Sequence, residues 1–219
     1  MRLAIYGAGG LGRKFFDFAS RLQEYSPRWK SILFVDDGDP SQLREGIQAI
    51  SFDETKEIYS HDDLEFIIGQ GEPSLRELLS ERVQEAGYRL ATLIHPQADV
   101  SLGATIEQGV VINSDKVTIA TGSVISKNVL VQSFVSIGHD SVIGENAVIS
   151  SFAAIGGNCT IGRNVFIGMQ TAIRENIRIG DNCIIGMGAI VIRDIPDFHT
   201  VINKTSMVLP HEPGAKVFK

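Results

Sequence analysis

Ser136-Ile137-Gly138-His139-Asp140-Ser141-Val142-Ile143-Gly144-Glu145-Asn146-Ala147-Val148-Ile149 repeats isoleucine at every sixth position. Followed outward, the same period holds an Ile or Val at 119, 125, 131, 137, 143, 149, 155, 161, 167, 173, 179, 185 and 191, thirteen hexads in a row. Glycine follows that residue in seven of them: Gly138, Gly144, Gly156, Gly162, Gly168, Gly180 and Gly186. The fifth place is small or β-branched, as in Ser141, Ala147, Ala153, Val165, Thr171 and Ala189. Cys159 and Cys183 also fall there, which reads them as buried packing residues rather than nucleophiles. Weaker hexads start at Val100, Ile106 and Ile112, and a seven-residue step from Ile112 to Ile119 shifts the phase. A helix repeats near 3.6 residues and a half-buried strand every two, so a period of six fits neither. It predicts short strands joined by corners and wound into a parallel β-helix, with isoleucines stacked about 4.8 Å apart between coils. The glycines are expected to give the corners their backbone freedom.

The first 95 residues follow a different grammar. Leu3-Ala4-Ile5-Tyr6, Ile32-Leu33-Phe34-Val35, Phe66-Ile67-Ile68-Gly69 and Arg89 to Ile94 read as strands. Leu11 to Leu22 reads as a helix with Phe15, Phe16 and Phe18 on or near its buried side, and a second helix runs from Pro73 to about Ala86, stopped by Gly87. Strands alternating with helices predict a small doubly wound parallel sheet. The expected organisation is therefore α/β over 1–95, all-β solenoid over 96–202, and a tail over 203–219.

Composition narrows the function. Apolar residues make up 43% and charged residues 21%, an ordinary globular balance. A net charge of −6 disfavours a nucleic-acid or anionic-membrane surface. No apolar run approaches the ~18 residues of a membrane helix, and the N-terminus lacks a signal-like apolar stretch. Two cysteines make neither a disulfide framework nor a zinc site. The expectation is a cytoplasmic protein that needs no metal.

Gly7-Ala8-Gly9-Gly10-Leu11-Gly12 follows a strand and opens a helix, an arrangement that suits phosphate. Alone it suggests NAD. The acidic residue of a dinucleotide site is expected about 20 positions on, whereas Asp36 and Asp37 come later, and the domain is short for that role.

Taken with the hexads and the row Ile137-Gly138-His139-Asp140, four N-terminal features resemble the NeuD/PglD-type sugar acetyltransferases. They are Tyr6 to Gly12, Phe34-Val35-Asp36-Asp37, Ile68-Gly69 with Leu75-Arg76 after it, and Leu93-Ile94-His95-Pro96. The likeness spans about residues 2–202. It implies a left-handed β-helix, a homotrimer, acetyl-CoA as donor, and an amino sugar linked to a nucleotide, or a sialic acid, as acceptor. His139 then corresponds to the general base and Asp140 to the carboxylate that orients it. Imidazole suits this chemistry because it exchanges protons near neutrality. Gly157, one coil of eighteen residues after His139, corresponds to the amide that meets the developing oxyanion. Met169 and Met187 correspond to contacts with the acetyl-CoA arm. Gly9, Gly10 and Leu11 correspond to the phosphate loop, and Asp36, Asp37 and Gly69 to the nucleoside side.

The chain departs from that pattern in four places. Leu11 stands where the phosphate loop often has histidine, Val148 where a second histidine often meets the acetyl group, and Gln132 where an asparagine precedes the base by seven. Val201 to Met207 replaces the usual terminal segment. The leading expectation is N-acetylation of a nucleotide-linked amino sugar for surface glycan synthesis. O-acetylation of sialic acid or another sugar is the enzymatic alternative, and a catalytically silent sugar-nucleotide-binding solenoid is the non-enzymatic one.

Overall fold

The structure is a computed structural model and describes residues 1–38 and 43–203. His211 and the expected tail from 204 onward lie outside them. Strand β1 (Arg2–Tyr6) leads into helix α1 (Gly10–Tyr25), then strand β2 (Ile32–Val35). A hairpin of β3 (Leu43–Arg44) and β4 (Ile47–Gln48) and helix α2 (Phe52–Ile58) follow. Strand β5 (Leu64–Ile68), helix α3 (Pro73–Glu85) and strand β6 (Arg89–Leu90) complete the N-terminal part. Its sheet is parallel, in the order β2-β1-β5-β6. α1 and α3 both run past the ends read from sequence or meet them closely, and Gly87, at φ +85°, stops the latter.

Arg89 to Ile94 is not one strand. Arg89–Leu90 closes the N-terminal sheet, whereas Leu93–Ile94 pairs with Val111–Ile112 as the first rung of the solenoid. From there the chain winds as a left-handed β-helix. Face one carries seven strands from Leu93–Ile94 to Thr200–Val201, face two six from Asp99–Val100 to Ile190–Val191, and face three five from Thr105–Ile106 to Arg178–Ile179. Ser136 pairs with Ala154 and Val142 with Thr160, so each coil takes eighteen residues. Thr118 pairs with Asp99, nineteen residues back, which absorbs the seven-residue step as one extra residue in the corner before Val117. The thirteen hexad residues all point inward and are buried, and the fifth-place residues fill the space beside them.

The hexad glycines have a different cause from the one expected. Those at the second place are not in the left-handed region. A Cβ on Gly144 would lie 2.5 Å from the carbonyl carbon of Gly162 in the next coil, and one on Gly138 would lie 2.5 Å from the amide nitrogen of Gly157. Coil-to-coil approach excludes a side chain there. The left-handed backbone falls at the fourth place, at φ between 55° and 64° for every residue from Asn128 to Asn182 at steps of six. Asparagine holds six of these ten places (Asn128, Asn146, Asn158, Asn164, Asn176 and Asn182), because its short polar side chain tolerates that conformation.

Face one is covered by the N-terminal part. Val111, Leu130 and Val148 pack into one buried cluster with Phe15 and Phe18 of α1 and Leu3 and Ile5 of β1. Val148 is therefore part of the domain junction, on a different side of the coil from His139.

Candidate active site

The turn from β1 to α1 is built by three glycines. A Cβ on Gly12 would lie 1.8 Å from the Gly7 carbonyl oxygen, and one on Gly69 2.7 Å from it, while Gly7 itself sits at φ +108°. They draw the start of α1 and the end of β5 together. Among the described residues, nothing lies within 4 Å of a Cβ added at Gly9 or Gly10, which leaves the front of the loop open to them. Gly9 is the N-cap of α1 and offers no side-chain acceptor, which leaves the first-turn N–H groups uncapped for an anion. A Cβ on Gly71 would lie 3.7 Å from the Leu11 side chain across the same opening. The opening lies at the carboxyl ends of β1 and β5, where connections depart in opposite directions and open α/β sheets take their ligands. Beside it, a cavity of about 350 Å³ runs between the start of α3 and the solenoid, lined among others by Glu72, Ser74, Asn164, Phe166 and Asn182.

Asp36 braces this loop: its carboxylate accepts from the Ala8 amide at 2.7 Å and the Gly38 amide at 2.9 Å. Asp37 turns the other way. It accepts from the Tyr6 hydroxyl at 2.5 Å, the Phe52 amide at 2.9 Å and the Arg82 guanidinium at 2.5 Å. Burial pushes the Asp37 carboxyl up, but those three donors outweigh it and hold the group below the usual carboxylate range. Burial and the adjacent Asp37 push the Tyr6 hydroxyl well up. Sequence reasoning missed Tyr6 and Arg82, since they lie 31 and 45 residues from Asp37 with no periodicity to link them.

His139 stands on the edge between faces two and three. Its Nδ1 lies 2.8 Å from Asp140 Oδ2, and both side chains are more than half exposed. The aspartate takes the left-handed place of the hexad, at φ 55°, which swings its carboxylate back toward the preceding ring. One coil on, Gly157 packs against the imidazole: a Cβ there would lie 2.7 Å from Nε2. The His139 carbonyl accepts from the Asn158 amide at 2.8 Å and locks the two corners together. The Gly157 amide donates to no group among the described residues.

Met169 and Met187 stand on the other edge of face two, one coil apart and 45% and 66% exposed. Within one chain the structure does not bring them to His139. The same edge carries Phe134 and Phe152, stacked at 4.6 Å with rings 3° from parallel. Gln132 accepts there from the Ser151 amide and hydroxyl at 3.3 Å. His95 stacks on Phe18 at 6.0 Å, and His61 meets Tyr88 edge-on. Both cysteines are buried free thiols.

Residues 2–83 match the family model described as the PglD N-terminal domain, and residues 122–157 and 158–193 match that of the bacterial transferase hexapeptide (six repeats). Among solved structures, the acetyltransferase domain of PglB from Neisseria gonorrhoeae FA1090 is 30% identical, with a TM-score of 0.83 over 91% of this chain and 95% of that one. A further structure of that domain is a complex with acetyl coenzyme A, at a TM-score of 0.82, 30% identity and coverage of 91% and 94%. PerB from Caulobacter crescentus, in complex with CoA and GDP-perosamine, is 24% identical with a TM-score of 0.81, covering 91% of this chain and 93% of its own, a likeness of fold.

Proposed function

The chain belongs to the PglD-type hexapeptide acetyltransferases, and from that premise we propose that it acetylates the amine of a nucleotide-linked amino sugar for surface glycan synthesis. Acetyl-CoA is the co-substrate and supplies an acyl group as a thioester. The observation that carries the site is the His139–Asp140 pair, outward-facing and 2.8 Å apart, with a glycine packed against the ring from the next coil.

The residues divide the work. The uncapped start of α1 at Gly9, Gly10 and Leu11 holds the acceptor's phosphates, with Gly69 and the Asp36-braced loop beside its nucleoside. Asp37 supports that wall from behind. Asp140 holds Nδ1 of His139, which directs Nε2 toward the acceptor amine. His139 takes the proton as the amine attacks, and the tetrahedral intermediate collapses with cleavage of the C–S bond, so that the acetyl group stays on the amine and CoA leaves as the thiol, which receives that proton. The Gly157 N–H meets negative charge growing on the thioester oxygen. Met169 and Met187 flank the donor's arm. Because they stand on the opposite edge of face two from His139, one complete site takes residues from two copies of the chain, and a homotrimer supplies three such sites. The setting is the cytoplasm. Residues 1–95 bind the acceptor and 96–202 carry the chemistry.

The test is a thiol-release assay with acetyl-CoA against UDP-, dTDP- and GDP-linked amino sugars and, in parallel, free sialic acid. Turnover on one of the nucleotide-linked amines is expected. His139→Ala should lower it by about 10²–10⁴-fold, the range a positioned base contributes. Turnover on sialic acid alone would favour O-acetylation. Undiminished turnover in His139→Ala, or none with any acceptor, would leave a binding module.

A further inference from the structure

Arg76 lies in α3 and is fully buried, with 0% exposure. All five of its guanidinium N–H groups have oxygen acceptors. Two go to the Ile68 and Gln70 carbonyls, each at 2.8 Å, on either side of Gly69. The other three go to Asn128 on the solenoid: its carbonyl at 3.2 and 2.7 Å and its side-chain oxygen at 2.8 Å. Asn128 answers by donating to the Arg76 carbonyl at 3.1 Å and passes a second hydrogen bond down the edge to Asn146 at 2.9 Å. Burial pulls the guanidinium down to about 9, which leaves it cationic at neutral pH.

A buried cation facing only neutral oxygens is an expensive way to join two domains. Apolar residues of the same volume dock surfaces at lower cost, and face one already does so through Val111, Leu130 and Val148. The planar fork adds direction: it ties two carbonyls of one loop and one corner of the coil into a single rigid unit, which a lysine with three donors cannot do. Glu77, next in sequence, makes a second docking contact by accepting from Asn164 at 2.7 Å. The domains thus stay joined without Arg76, and its distinct effect is on the Ile68–Gln70 loop.

We propose that Arg76 is a positioning residue that holds the acceptor-binding loop at Gly69 in register with the catalytic coil. The proposal rests on the reading of the N-terminal cleft as the acceptor site. It concerns affinity for the acceptor and leaves the donor side untouched.

The experiment titrates wild type, Arg76→Lys and Asn128→Gly with UDP, GDP, dTDP and CoA by calorimetry, and follows hydrogen exchange in peptides covering 64–72 and 126–130. Glycine at 128 accepts the positive φ and removes only the side-chain half of the contact. The nucleotide Kd should rise about tenfold in Arg76→Lys, a fraction of what an ångström of misplacement can cost. It should rise less in Asn128→Gly, with CoA binding unchanged and exchange faster in 64–72. Faster exchange with an unchanged nucleotide Kd, or equal weakening of nucleotide and CoA, would overturn the role of Arg76 alone. A wild type that binds CoA but none of the three diphosphates would overturn the acceptor reading, and this proposal with it.

Discussion

Gly157 is the residue at which packing and chemistry are hardest to separate. It leaves room for the imidazole of His139, whose Nε2 a Cβ would meet at 2.7 Å, and it presents an amide N–H at the same corner. Alanine there keeps the N–H and only crowds the ring. Gly157→Ala should therefore lower kcat by about tenfold or more through a displaced base, while the melting temperature changes little because the corner is open to solvent. Steady-state kinetics beside a thermal melt separates the two; a large fall in melting temperature with normal kcat would make the glycine a packing residue only. The placing of His139 and Gly157 at adjoining corners was legible in the sequence, while their roles are proposals. The hexad puts His139 two places after an inward isoleucine, hence outside, and a coil of eighteen residues puts Gly157 next to the neighbouring corner. Arg76 and Asn128 were not legible as partners. They lie 52 residues apart in segments of different grammar, and only the docked domains bring them together.

At the level of elements, the period of six located the rungs from Val100 to Val191 because each inward aliphatic residue must stack on its equivalent. It misjudged the glycines. A Cβ on Gly144 would lie 2.5 Å from the Gly162 backbone, so Gly144→Ala must spread two coils, and we expect a loss of about 1–3 kcal/mol, read from the shift in a urea midpoint. An unshifted midpoint would restore corner freedom as the reason for these glycines. Short elements without a period escaped notice. Helix α2 spans seven residues, yet its start was marked: Ser51 accepts from the Glu54 amide and Glu54 reaches back to the Ser51 amide, a capping box visible as Ser-x-x-Glu. α2 and α3 are tied to β1 through Asp37. The folded carboxyl sits below its ordinary value, so its contribution to stability is complete above the unfolded pKa and is lost as pH falls through the lower, folded one. The gap in urea midpoint between wild type and Asp37→Asn should hold at pH 7 and narrow from about pH 3.9 downward. A gap that stays constant into that range would mean the Tyr6–Asp37–Arg82 cluster is indifferent to the charge.

For the whole molecule, the deciding fact is that face two separates the two edges that carry the proposed site residues. His139 and Gly157 lie on one, Met169 and Met187 on the other, and a rigid three-sided coil cannot fold one onto the other. A donor that touches both edges must therefore lie between two chains, and in a closed ring each chain lends one edge to the next. This arrangement makes a prediction that a single-chain site cannot share. His139→Ala lacks the base but keeps the methionine edge, whereas a Met169→Glu, Met187→Glu double variant keeps the base and loses the donor's apolar seat. Each alone should be nearly inactive. When the two are unfolded together and refolded at equal amounts, a site is intact wherever a base from the second variant meets an edge from the first. With random assortment that happens at about one junction in four, so the mixture should recover about a quarter of wild-type activity, at a mass of three chains by sedimentation. Because the coil has no other route between its edges, failure to recover activity in verified mixed assemblies would return the whole site to one chain and remove the methionines from it.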